Sequence, residues 1–338
     1  MGEAKTAGGP DADRQAAELA ERLFAGDRRA LARAVTLVES RRADHRAAAD
    51  ALIARLGARP RDALRIGLSG TPGVGKSTFI ESFGMRLVEE ERRVAVLAVD
   101  PSSTRTGGSI LGDKTRMDRL SRRPEAFIRP SPSQASLGGV ARRTREAILL
   151  CEAAGFDVVI VETVGVGQSE TMVAEMTDLF LLLLAPAGGD ELQGVKRGIM
   201  EICDMILVNK ADGDLAAAAR RTQADYAGAL RLLRRRAGDP EDFPKALAVS
   251  ALQEDGLEEA WAEAQSLDRF RRETGAREAR RAAQAVSWLQ AEAEGAVLSA
   301  FRKDPAVAAI WPDLVQAVAE GRLAAPDAAA RALAAHRR

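Results

Sequence analysis

The chain has 338 residues, and its 49 Lys plus Arg are matched by 49 Asp plus Glu. A formal charge of zero gives no support for nucleic acid as an obligate partner, and Cys151 and Cys203, set in apolar surroundings, read as buried thiols of a reducing compartment, not as a disulfide frame. The first residues are small and polar, unlike a secretory leader, and the most apolar run, Leu179–Ala185, is far too short to cross a bilayer, so a soluble, cytoplasmic protein with no membrane partner is expected.

Along the chain, Met1–Asp13 is rich in Gly, Ala and Pro and reads as disordered. Residues 14–60 form an N-terminal helical extension, with Leu19, Leu23, Leu31, Val35, Val38 and Leu52 at apolar positions and Pro60 as its stop. From 61 to 267 strands and helices alternate. The expected strands are Leu64–Ser69, Val94–Asp100, Ala126–Arg129, Phe156–Glu162, Leu179–Ala185, Met205–Asn209 and Ala246–Val249, with a helix over Phe79–Glu90. Strands this apolar, separated by helices, predict an α/β fold: a mostly parallel sheet covered on both faces. Residues 268–338 turn helical. Arg272–Lys303 reads as one long helix with Val286, Leu289, Ala293, Val297 and Phe301 on one stripe. Shorter helices broken at Pro305, Pro312 and Pro326 follow.

The chemistry begins after the first strand. Gly70-Thr71-Pro72-Gly73-Val74-Gly75-Lys76-Ser77-Thr78 is the full phosphate-loop pattern, G-x-x-x-x-G-K-[ST], in a strand-to-helix context. Glycines let consecutive backbone N–H groups turn inward around a phosphate, and the helix start adds partial positive charge. Lys76 is placed to reach the β- and γ-phosphates and Ser77 to put its hydroxyl on Mg²⁺. Asp100 ends the second strand, and Asp113 follows in a loop rich in Gly, Ser and Thr. Both are candidates for the Mg²⁺ shell, since strand ends of a parallel sheet face the ligand side. Asp113 also reads as an ordinary solvated loop acid. Glu162-Thr163-Val164-Gly165 ends the fourth strand like a D-x-x-G element with Glu for Asp. Glu162 would hold Mg²⁺ directly or through water, and Gly165 would present its N–H to the γ-phosphate. Val166 stands where a water-positioning Gln is familiar, which implies slow intrinsic hydrolysis, and Gln168 has the wrong offset to replace it.

Asn209-Lys210-Ala211-Asp212 matches N-K-x-D directly after a strand. Asp212 offers paired acceptors to the N1–H and exocyclic amine of guanine, Lys210 lays its stem along the base, and Asn209 braces the loop. Adenine has no matching donor pair, which would leave the carboxylate underpaired. Ser250-Ala251-Leu252 looks like the loop whose backbone N–H reads guanine O6.

Taken in order, the phosphate loop, DPSS, ETVGVGQSE, APAGGDELQGVKRGI and NKAD resemble the MeaB/ArgK family of P-loop GTPases. The resemblance covers the core from about Leu64 to Leu267. It implies a P-loop NTPase fold of SIMIBI-like type, GTP/GDP and Mg²⁺ as ligands, and a G-protein chaperone. Such a chaperone gates cofactor loading of the adenosylcobalamin-dependent methylmalonyl-CoA mutase and protects that enzyme from inactivation. It implies a homodimer formed through the C-terminal extension. It also implies a further switch loop over Ala185–Gly198, in which Asp190, Gln193 and Lys196 couple nucleotide state to the partner and Lys196 acts in partner-stimulated hydrolysis.

Competing readings are weaker. A metallochaperone-type GTPase needs soft or imidazole ligands, but the two histidines, His45 and His336, stand far apart in the chain and the two cysteines lack metal-pair spacing. A transport-associated kinase needs an acceptor pocket and base that no constellation supplies. A scaffold with a vestigial site sits poorly with an intact Lys76, Ser77 and Asp212.

Overall fold

The computed structural model describes residues 10–40, 42–57, 62–99, 117–130, 137–163, 168–186, 197–233, 236 and 238–336. They divide into two compact units, Met1–Arg281 and Ala282–Arg338.

The first unit is built on a seven-stranded sheet: β1 Leu64–Gly70, β2 Val94–Val99, β3 Ala126–Arg129, β4 Val158–Thr163, β5 Leu179–Leu184, β6 Met205–Val208 and β7 Lys245–Ala248. Their order is β3-β2-β4-β1-β5-β6-β7, and every pair is parallel. All seven expected strands form, and the parallel sheet covered on both faces is borne out. Each strand alternates between two cores. Val159, Val161, Phe180, Leu182, Ile206 and Val208 face one core, shared with α1 Pro10–Phe24, α2 Arg28–Glu39, α3 Ala43–Leu56 and with residues of the helix that precedes β4. Leu64, Ile66, Leu68, Ile160, Leu181 and Leu207 face the other, which takes Phe79, Ile80 and Phe83 from α4 Lys76–Glu89. Phe79 and Phe83 stack at 5.2 Å between ring centroids, a contact worth about 0.5–1.5 kcal/mol beyond burial. The remaining helices of this unit are α5 Asp118–Ser121, α6 Leu137–Ala153, α7 Gln168–Ala174, α8 Arg197–Ile202, α9 Ala216–Arg231 and α10 Leu257–Glu273. Helix α7 lies tightly on β1 because Gly67 has no side chain: a Cβ there would come 2.9 Å from both Val173 Cγ1 and Thr177 Oγ1.

Where the strands begin, buried carboxylates receive backbone N–H groups. Asp178 Oδ2 accepts from Arg65 N at 2.9 Å, and Asp204 Oδ2 from Phe180 N at 2.7 Å. Arginines supply the counter-charge. Arg271 reaches Asp204 at 2.6 Å and the Asp178 carbonyl at 2.8 Å, and Arg281 reaches Asp178 at 2.7 Å. Burial pushes both carboxyls up. The Arg281 and Arg277 charges outweigh it at Asp178, those of Arg271 and Arg236 at Asp204, and both acids sit below the ordinary carboxylate range.

Several boundaries differ from expectation. Helix α1 already begins at Pro10, inside the stretch read as disordered. The expected Arg272–Lys303 helix is interrupted at Gly275, whose φ of 73° ends α10, and α11 runs Ala276–Lys303. The compact units part at Arg281, not at Leu267, because Arg271 and Arg277 are buried in the first unit. Pro312 lies inside α12 Pro305–Ala319 and does not break it. It is exposed, so water can serve the carbonyl that proline leaves without its helical donor.

The second unit holds most of α11, then α12 and α13 Ala325–His336. Asp304 caps α12 through Ala306 N at 2.8 Å and meets His336 Nδ1 at 2.6 Å. Within this unit Val286, Leu289, Val297, Leu298, Trp311, Val315 and Leu333 are exposed. Among the described residues no helix is long and apolar enough to cross a membrane.

Candidate functional site

The ligand-side ends of β1, β4 and β6 carry the motif residues. A Cβ at Gly70 would lie 2.5 Å from the Leu183 carbonyl oxygen of β5, so only hydrogen fits where β1 enters the loop. At Gly75 φ is 90°, and a Cβ would come 2.8 Å from Asn209 Nδ2. Helix α4 starts directly afterwards, three residues earlier than expected, so Lys76, Ser77 and Thr78 form its first turn. A loop of this shape leading into a helix N-terminus is an anion cradle. Thr71, Pro72 and Gly73 are exposed while Val74 is buried beneath them. Lys76 Nζ donates to the carbonyls of Gly70 at 2.6 Å and Thr71 at 3.3 Å. Burial pulls this ammonium below its ordinary pKa, and the charges of Glu162 and Glu170 oppose the shift.

Glu162 is half-buried near the end of β4, level with Leu68 of β1 and Ala98 of β2. Thr163, the next residue, donates Oγ1 to Ser69 Oγ at 2.9 Å, both fully buried. This bond pins β1 to β4 where they deliver the phosphate loop and Glu162. Ser77 is half-buried in the first turn of α4. A hydroxyl and a carboxylate are the hard oxygen donors that Mg²⁺ takes, and these residues fit that ion. Asp100, Asp113, Gly165 and Val166 lie outside the described residues. So do Asp190, Gln193 and Lys196; of the loop that carries them, Ala185 and Pro186 follow β5, and Gly198 falls within α8.

After β6 the base-type motif folds back onto the phosphate loop. Asn209 is buried, donates Nδ2 to the Val74 carbonyl at 2.9 Å and accepts from Ala251 N at 3.0 Å. Lys210 adopts φ 60° and donates Nζ to the Gly73 carbonyl at 2.7 Å. Asp212 Oδ2 accepts from Ser250 Oγ, which itself accepts from Gln253 N at 3.0 Å. Ser250 and Asp255 close the turn as a bridge. In the Ser250–Leu252 loop the Ala251 N–H is thus donated to Asn209, and Leu252 is 73% exposed.

Two residues that sequence reasoning missed belong here. Ser82 Oγ donates to the Ala251 carbonyl at 2.7 Å and joins α4 to the same loop. Its signal was a lone hydroxyl on the apolar face of Phe79, Ile80 and Phe83, since a buried hydroxyl needs a partner. Glu170 is 2% exposed in α7 and acts electrostatically on Lys76. Its signal was an acid left unassigned at the end of ETVGVGQSE.

The profile of the family described as "Methylmalonyl Co-A mutase-associated GTPase MeaB" matches residues 31–306. A "Putative GTPase" of Caulobacter vibrioides is 57% identical over 317 residues, covering 94% of this chain and 96% of its own. The "Methylmalonic aciduria type A homolog, mitochondrial" of Mus musculus is 47% identical over 317 residues, 91% of this chain and 76% of that one. "GTPase ArgK" of Escherichia coli is 50% identical over 283 residues, 84% of this chain and 85% of that one. Among solved structures, one described as "LAO/AO transport system kinase" has a TM-score of 0.74 at 38% identity, covering 96% of this chain and 98% of that one.

Proposed function

This chain belongs to the MeaB family of P-loop GTPases, and we propose that it is a GTP-driven chaperone of the adenosylcobalamin-dependent methylmalonyl-CoA mutase. It gates cofactor loading and protects the mutase from inactivation. The observation that carries this reading is the family match across residues 31–306, which spans both the phosphate loop and the base motif. The mouse relative's name, which refers to methylmalonic aciduria, supports the same reading.

In this reading Gly70–Thr78 cradles the phosphates. Lys76 exchanges the Gly70 and Thr71 carbonyls for phosphate oxygens. Ser77 and Glu162, with Asp100 and Asp113, hold Mg²⁺, which when bound neutralises charge building on the transferred phosphoryl group. Asp212 pairs with the two guanine donors, and the Ser250–Leu252 loop supplies an N–H to O6. Gly165 meets the γ-phosphate. With Val166 beside it, intrinsic turnover is slow, and the Ala185–Gly198 loop, through Asp190, Gln193 and Lys196, answers the partner.

GTP turnover measured with and without the mutase tests the proposal. Stimulation is expected, and it should fall sharply in Lys196→Ala or Asp190→Ala with GTP affinity nearly intact. Absence of stimulation in the wild-type protein would overturn coupling to this partner. A homodimer forms through the exposed apolar residues of 282–338, since such a surface is a liability when bare. Light scattering of a chain ending at Arg281 should then report a monomer that still binds GDP; a dimer would place the interface elsewhere.

A further inference from the structure

We propose that α5 is a junction coupling the base loop to the phosphate helix, with Glu81, Arg119 and Glu254 as positioning residues for hydrolysis. The proposal rests on the guanine-nucleotide reading of the site.

A four-residue helix has no stability of its own, and α5 has no side-chain cap of its own at Met117. Its cap comes from another element. Glu81 Oε1 of α4 accepts from Arg119 N at 2.5 Å and from Leu120 N at 3.3 Å. Glu81 stands four residues after Ser77, so the two share one face of α4. Leu120, fully buried, lies against Gly84 in the middle of α4, where a Cβ would come 2.6 Å from Leu120 Cδ2. Glycine inside a helix is unfavourable relative to alanine, and this contact is the physical reason for it here. The first side of the junction, α4 to α5, is therefore a cap plus a buried packing contact.

The second side runs from α5 to the base loop. Arg119 Nη1 donates to Glu254 Oε1 at 2.9 Å. Glu254 has φ 59°, an unusual conformation for a residue with a side chain, in the turn closed between Ser250 and Asp255. The third side returns from that loop to α4 through Ser82 and the Ala251 carbonyl at 2.7 Å. Three elements joined pairwise form a closed triangle, and one side cannot move without the others. One corner holds Ser250, bonded to Asp212. Another holds Lys76 and Ser77. How well the base seats against Asp212 is thus transmitted to the groups beside the phosphates.

The test compares wild type with Arg119→Ala, Glu254→Ala, the double variant and the swap Arg119→Glu/Glu254→Arg, reading GTP turnover and GDP affinity by calorimetry. An exposed ion pair is a weak contact, so each single variant should lose about two- to five-fold in kcat. GDP affinity should stay within about two-fold. The double variant should be no slower than the singles, because both break one connection, and the swap should recover most of the rate. Additive losses, a swap without recovery, or a GDP affinity that falls in step with kcat would overturn the junction. Wild-type titration with ATP and GTP separates this from the reading beneath it. Equal affinity for both would defeat the guanine reading itself. Guanine selectivity with unchanged turnover in every variant would defeat only the junction.

Discussion

Asn209→Ala is the most informative single perturbation of the site. The side chain is 2% exposed and makes two bonds, to the Val74 carbonyl at 2.9 Å and from Ala251 N at 3.0 Å. Truncation leaves one acceptor of the phosphate loop and one donor of the base loop without that partner. An orphaned buried group costs about 1–3 kcal/mol, so the pair sums to about 2–6. The lower end, about 2–3 kcal/mol, is expected, because both groups sit in loops at the sheet edge where water can enter once the amide is gone. At about 2–4 °C per kcal/mol for a domain of this scale, Tm should fall by about 4–12 °C. GDP binding must then order two loops that Asn209 otherwise holds together, and the same energy appears as a loss of affinity of about 30- to 150-fold. Thermal unfolding with and without GDP, beside calorimetric titration of GDP, measures both. If Tm falls as expected while GDP affinity stays within two-fold of wild type, Asn209 serves the fold alone and the preorganisation argument is refuted.

Asp212→Asn should weaken GTP and GDP by about 1–3 kcal/mol and leave ATP unaffected, read by parallel titration; an equal loss for ATP would contradict a base-specific role. Gly75→Ala combines a φ of 90° with a Cβ 2.8 Å from Asn209 Nδ2, so it should cost about 1–3 kcal/mol in GDP affinity, and unchanged affinity would count against the loop geometry. Arg271→Ala takes one of the two arginine partners from Asp204, fully buried, while Arg236 remains at 3.0 Å, and should lower unfolding free energy by about 1–3 kcal/mol in urea. Asp178 and Asp204 have lowered folded-state pKa values, so their contribution is fully present above the unfolded carboxylate value of about 3.9 and is lost as pH falls through the folded values. The stability gap between wild type and Asp178→Asn should accordingly stay flat from neutral pH to about pH 5 and shrink below about pH 4; a gap that grows in acid would reverse the sign argued here.

The sheet was legible because burial on both faces leaves strands such as Leu179–Leu184 without a polar residue, and a turn element breaks each strand from the next helix. The phosphate loop and the base motif were legible because their spacing encodes backbone shape. Asn209, read as a brace, bonds to the Val74 carbonyl and the Ala251 N–H, since a short amide at a strand end has donor and acceptor to share. What stayed hidden depends on distance in the chain. Glu81 capping α5, Ser82 on Ala251 and Arg271 on Asp204 pair residues whose separation no local pattern records. The extent of the first compact unit, which runs on to Arg281, was hidden for the same reason. The arginines of α10 and of the start of α11 look like solvated helix charges until the carboxylates they meet, Asp178 and Asp204, are seen to be buried.

The arginine layer beneath the sheet also bears on how the chain comes into being. A growing chain has made every element of the nucleotide site once Asp255 is added. Asp204 meets Arg236 before that point, but Asp178 must then wait for Arg277 and Arg281, at the end of the first unit, to be synthesised. Until then Asp178 can be buried only as an uncompensated charge, which is strongly unfavourable. Synthesis thus delivers the binding loops first and the locking charges last, and a ribosome paused short of Arg277 holds a P-loop domain that cannot close its floor.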